Sequence, residues 1–269
     1  MFHLAQEEND AEFARSWVIQ SVDRAIRVLS TLQGARQMSL SELAGRLGLP
    51  PSTVHGIVRT LVAHGMVVQD RGSGRYQLGP AVLRLGNVYL DTLELRSRAM
   101  PWAEELARRT GFAVRTGVLL AEDVVIIQHE PRPDGSRQMP EVGIVIPAHA
   151  CALGKALLAF SPADEERILA SALRSMTGET VTDAAAFKDE LDAVRTSGLA
   201  AESDEAVLGE SGIAASVFDA TGLPVGAIGV VVPTNEWPVG DAITDAVRSA
   251  ARTISRELGA VQWPASPPD

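Results

Sequence analysis

The stretch that most constrains this chain is residues 38–65, MSLSELAGRLGLPPSTVHGIVRTLVAHG. Ser39 or Ser41 can cap a helix whose Leu40, Leu43, Ala44 and Leu47 fall on one face. Gly48 then offers the left-handed residue that ends a helix. Leu49 turns inward, and Pro50-Pro51 forbids continuation while pre-setting a new first turn. In the helix that follows, Val54, Ile57, Val58 and Leu61 recur at the spacing of a buried face. The opposite face carries Ser52, Thr53, His55, Gly56, Arg59 and Thr60. Two short helices joined by so tight a turn read as a helix-turn-helix. The outer face of the second helix, with short hydroxyls, one arginine and one gap, suits a DNA groove. Hydroxyls reach phosphate or base edges there, and Arg reaches phosphate or guanine. Ser41 stands on the first helix, on the same side. An ordinary amphipathic surface helix has the same period, so the flanks decide.

Gly65 precedes two strand-like triplets, Val67–Gln69 and Tyr76–Leu78, around the turn Arg71-Gly72-Ser73-Gly74-Arg75. That hairpin makes the motif a winged one and sets Arg71 and Arg75 beside the groove as phosphate contacts. Upstream, Val22, Ala25, Ile26, Leu29 and Leu32 predict a helix that Ser21 caps and Gly34 ends. Residues 21–79 carry seven arginines and three acids, a charge of +4. Residues 1–20 carry −3, which leaves −11 on the remainder of a chain whose net charge is −10. A basic module on an acidic body is the footprint of localised phosphate contact.

Residues 80–98 predict one helix with an unusually broad apolar surface: Leu83, Leu85, Tyr89, Leu90, Leu93 and Leu95. A connecting helix so apolar points to a covering partner, and a second copy of the chain is the reading we adopt. Beyond it the pattern predicts a helix at 100–110 and strands at 112–120, 124–130 and 141–146. Helices follow at 152–160, 162–173 and 184–197, then strands at 212–219 and 225–232, and a last helix at 241–258. Hairpin strands with helices set between them predict an α+β domain on an antiparallel sheet. The expected plan is a flexible arm at 1–18, a winged helix-turn-helix at 19–79, a linker and dimerisation helix at 80–98, a second domain at 99–260 and a disordered tail at 261–269.

Other classes are disfavoured. Cys151 is the one cysteine, so no intramolecular disulfide forms and a reducing cytoplasm fits. The acidic first residues do not read as a secretory signal, and no apolar run is long enough for a membrane span. His149 and Cys151 invite a nucleophile or a metal, but no further ligand stands at suitable spacing. No glycine-rich phosphate loop is present. No catalytic residue, metal or cofactor is therefore expected. A winged helix that binds protein is the remaining rival, and salt sensitivity separates it from a DNA binder.

The motifs SVDRAIRVLSTL, LSELAGRLGLPPSTVHGIVRTL, GRYQLGPAVLRLG, AHACALGKALLAF and the Asp204-Glu205 to Gly209 stretch before GIAASVFD occur in this order. By them the chain resembles the IclR family of transcriptional regulators over nearly its full length. STVHGIVRTL, YLDTLELRSRA, RPDGSRQ and SRELGA resemble the glycerol-operon regulators within it. The resemblance implies a winged helix-turn-helix, a linker helix and a GAF-like effector domain. It also implies homodimers or tetramers on palindromic double-stranded operators, and a small-molecule effector that modulates DNA binding. Many relatives have Arg where this chain has Gly56. The resemblance places the effector at Ala150, Cys151, Ala152 and Leu153, at Glu202 and Gly212, and at Gly229 and Val231. Several relatives have hydroxyl or thiol side chains at the positions of Gly212, Gly229 and Val231, so a roomier, less polar pocket is expected here. The free N–H groups of the helix start after Ala150 suit an anion. Glycerol 3-phosphate is the leading ligand, with Lys155 or Arg115 as its cation, and release of repression is the expected response. The alternative is a less polar effector such as an aromatic acid.

Overall fold

The computed structural model describes residues 19–136 and 138–264. The expected arm at 1–18 and the end of the expected tail, 265–269, lie outside the described residues. The chain divides into two units, Met1–Tyr89 and Leu90–Asp269.

In the first unit, helices α1 (Gln20–Ala35), α2 (Leu40–Leu47) and α3 (Pro51–Ala63) are followed by β1 (Val67–Gln69) and β2 (Tyr76–Leu78). Val28, Leu32, Leu43, Leu47, Val54, Val58 and Leu61 form one core. Ser39 rather than Ser41 caps α2. Its hydroxyl accepts the Glu42 N–H at 3.3 Å, and the Glu42 carboxylate accepts the Ser39 N–H at 2.7 Å, a closed capping box. Gly48 ends α2 at φ 63°, in the left-handed region where a Cβ is strained. The expected Ser21 cap is not made, because α1 already starts at Gln20 and has no side-chain cap. It also runs one residue past Gly34. β1 and β2 pair antiparallel, Val67 opposite Leu78. The Asp70 carboxylate accepts the N–H groups of Gly72 and Ser73 at 3.1 and 2.7 Å and so closes the wing tip.

The single helix expected at 80–98 is two helices, α4 (Pro80–Thr92) and α5 (Glu94–Thr110). They break at Leu93, which is extended at φ −80°, ψ 101°. Leu93 turns in against the second unit's core, and the stripe Leu95, Ala99, Ala103, Leu106 and Ala107 then fixes α5 there. No side chain of α4 is fully buried, though Leu90 packs in part against the second unit's core.

The second unit is built on a six-stranded sheet in the order β5-β4-β3-β8-β7-β6. The strands are β3 (Ala113–Leu120), β4 (Asp123–Glu130), β5 (Val145–Pro147), β6 (Ala200–Ser203), β7 (Glu210–Phe218) and β8 (Pro224–Pro233), each antiparallel to its neighbours. On one face, α5 and α9 (Asp241–Glu257) cover Val114, Ile213, Ile228 and Val230. On the other, α6 (Ala152–Leu158) and α8 (Ala184–Ser197) cover Val124, Ala214, Phe218 and Ala227, while α7 (Pro162–Leu169) packs on α6. Residues 261–264, expected in a disordered tail, are held by Trp263. Its indole packs on both cores and donates from Nε1 to the Ser216 carbonyl at 2.8 Å. No helix among the described residues is long and apolar enough to cross a membrane.

Candidate nucleic-acid interface and effector pocket

On α3, Pro51 fills the first turn, and Val54, Val58 and Leu61 point into the core. That leaves Ser52, His55, Gly56, Arg59 and Thr60 exposed, with Thr53 half-buried. Ser41 is exposed at the start of α2. The Thr60 hydroxyl donates back to the Gly56 carbonyl at 3.1 Å. Gly56 and Thr60 border an apolar groove with Val22, Ala25 and Ile26 of α1, so they stand at the edge of the polar face. No heavy atom lies within 4 Å of where a Cβ on Gly56 would stand. Arg71 is exposed at the wing tip. Arg75, also expected at phosphate, pairs with Glu42 at 2.6 Å across the gap between wing and α2.

In the second unit, β-sheet register brings distant residues into two adjacent rungs. Glu202 pairs with Gly212, which pairs with Val231; Ala214 pairs with Gly229, which pairs with Arg115. The start of α6 lies over them. Gly154 lets the Ala148 turn pack closely on this helix: a Cβ there would stand 2.1 Å from the Ala148 carbonyl oxygen. One cavity is lined by Cys151, Ala152, Leu153, Glu202, Gly212, Gly229 and Val231 of the expected set. Ala150 is not in its wall; it is buried in the 3-10 turn Ala148–Ala150 that leads into α6. Arg115, Ile146, Ser211, Ile213, Ala214 and Val230 complete the lining. Apart from Arg115, the sequence does not single these out.

The free volume of this cavity is about 30 Å³, room for about two water molecules. At Gly229 the absent side chain leaves little free space. A Cβ at Gly229 would stand 2.5 Å from the Ile213 carbonyl oxygen and 2.6 Å from the Ala214 Cβ, so the neighbouring strand already occupies that space.

Arg115 pairs with Glu141 and, at 3.1 Å, with Glu210. Burial opposes its charge, but the two carboxylates more than offset that and hold the guanidinium protonated. Burial pushes the Glu202 carboxyl up to about 8, against the one Glu205 N–H that it accepts at 3.2 Å. Burial pushes the Cys151 thiol up to about 12, far from the thiolate a nucleophile needs. Lys155 does not line the cavity. It is fully buried, with Nζ on Glu205 and on Glu190 at 2.7 Å. His149 Nε2 lies 2.9 Å from the Arg174 carbonyl oxygen and its ring meets Phe187 edge-on, a packing role.

Residues 21–71 match the IclR helix-turn-helix domain, and residues 87–256 match the bacterial transcriptional regulator IclR C-terminal domain. The chain belongs to the IclR family. This IclR-family protein is 45% identical over 247 residues to the glycerol operon regulatory protein of Streptomyces griseus, covering 90% of this chain and 97% of that protein. Its identity to the protein of the same name from Streptomyces coelicolor is 43% over 247 residues, with the same two coverages. Among solved structures, it superposes on an IclR transcriptional regulator from Alicyclobacillus acidocaldarius with a TM-score of 0.78 at 28% identity, covering 90% of this chain and 100% of that one. An IclR homologue from Microbacterium hydrocarbonoxydans complexed with 4-hydroxybenzoate gives 0.74 at 25% identity, covering 89% and 99%. This IclR-family chain is therefore a DNA-binding transcriptional regulator and not an enzyme, with an effector-binding domain after its helix-turn-helix.

Proposed function

We propose that this regulator works in the cytoplasm as a repressor of a glycerol-type catabolic operon. It reads a palindromic operator through Ser41, Ser52, Thr53, His55, Gly56, Arg59 and Thr60, with Arg71 and Arg75 on flanking phosphate. Two copies pair through α4, as two-fold symmetry on a palindrome requires. A metabolite in the Arg115–Glu202 cavity shifts the population between operator-competent and released states, which demands that it bind the two differently. The observation that carries this reading is the exposed polar row on α3, backed by an apolar row that leaves it no other orientation. A less polar aromatic acid is a second reading, favoured by the apolar lining residues Ile146, Leu153 and Val231 and by the relative's 4-hydroxybenzoate complex.

Arg59→Ala tests the interface. Operator affinity should fall while thermal stability holds, and the slope of log affinity against log salt should become shallower by about one. Unchanged affinity would remove α3 from the groove.

A further inference from the structure

The charge around the cavity points away from the phosphate that the sequence suggests. Arg115 is the one basic side chain in its wall among the described residues. Its Nε is taken by Glu141 and its Nη1 by Glu210. Glu202 lines the same wall, and its Oε1 lies over Gly212, 3.5 Å from where a Cβ would stand. Immediately behind, the charge of Lys155 is matched by Glu205 and Glu190. Five carboxyl groups thus surround two cations. α6, with seven residues, is too short to add a helix-end site for an anion.

An anion entering here has to strip Arg115 of its partners and then face the carboxylates it displaced. A cation meets the guanidinium. A neutral ligand rich in hydroxyls meets neither obstacle once the cavity, about 30 Å³ as it stands, widens to admit it: one hydroxyl would donate to Glu202 Oε1, and another would accept from the Arg115 guanidinium. We propose that the effector is an uncharged, polyhydroxylated small molecule, not a phosphate ester or a carboxylate. This rests on the reading of the cavity as the effector site.

The test is calorimetric titration of the full chain with glycerol, erythritol and glycerol 3-phosphate, repeated on Glu202→Leu and Glu202→Gln after circular dichroism has shown that each is folded. A polyol should bind, and glycerol 3-phosphate should bind at least about ten-fold more weakly, because like charges oppose it. Glu202→Leu should abolish polyol binding. Glu202→Gln, which keeps the carbonyl oxygen and is uncharged like the protonated carboxyl, should retain it. Tighter binding of glycerol 3-phosphate that Glu202→Leu abolishes would overturn the uncharged class and leave the site standing. Failure of both polyols to bind would also overturn the proposal. Binding of any probe that is indifferent to Glu202→Leu would sink the site itself, and the proposal with it.

Discussion

At position 56 a glycine sits inside a helix, where it costs about 1 kcal/mol relative to alanine. Its own unit does not need the gap, since a Cβ added there would meet no heavy atom within 4 Å. Gly56→Ala should therefore stabilise the DNA-binding unit by about 0.5–1 kcal/mol in a urea melt and at the same time weaken operator binding. If the more stable variant binds as well as the parent, close approach to the duplex is not why glycine is there. Glu202 offers a second residue-scale test. Its carboxyl is raised from 4.5 to about 8 in the folded chain, so the folded state binds the extra proton. Stability should then fall as pH rises from near 4.5 through 8, by an amount on the order of a few kcal/mol. Glu202→Gln should flatten that slope and exceed the parent in stability at pH 9; a parallel pair of curves would mean the carboxyl is not buried as described.

Among the elements, α2 and the wing share one carboxylate. Glu42 is held down to about 2, first by the Ser39 N–H and then by Arg75. Its contribution is present at neutral pH and is lost as pH falls from its ordinary range toward 2. Ser39→Ala removes the cap and should lower the stability of the first unit by about 1 kcal/mol; amide exchange in the second unit should not change. This element also shows what the sequence can reveal. The i, i+3, i+4 rows of α2 and α3, the Gly48 stop and the Pro51 start are legible because each is a local rule. Arg75 cannot be assigned to Glu42 in that way, because the choice depends on the distance between wing and helix in space. β6 does not read as a strand: AAES lacks the branched residues that signal one, and its pairing with β7 supplies the order instead. The break at Leu93 is hidden, because the apolar period continues across it. The cavity walls are named largely through the family resemblance, but their tightness comes from inter-strand contacts that no single strand encodes.

For the whole molecule, the exposed face of α4 is the decisive surface. Leu83, Leu85, Val88 and Tyr89 are each more than half exposed. Their burial against a second copy is what the dimer reading requires. Leu83→Glu with Val88→Glu should convert the protein to a monomer by light scattering and cost at least about 100-fold in operator affinity, since the second half-site is no longer tethered. A variant that stays dimeric would place the interface elsewhere.

The exposure of α4 carries a consequence of its own. It has 13 residues and no buried side chain, and isolated helices below about 12–15 residues are marginal in water. If copies pair through α4 as proposed, the segment that joins the two units in sequence owes its rigidity to mass action. In dilute solution it should soften, and as copies accumulate it should stiffen, so operator occupancy should climb more steeply than linearly with the number of chains present. The stiffness of this connection would then be set by expression level as much as by sequence.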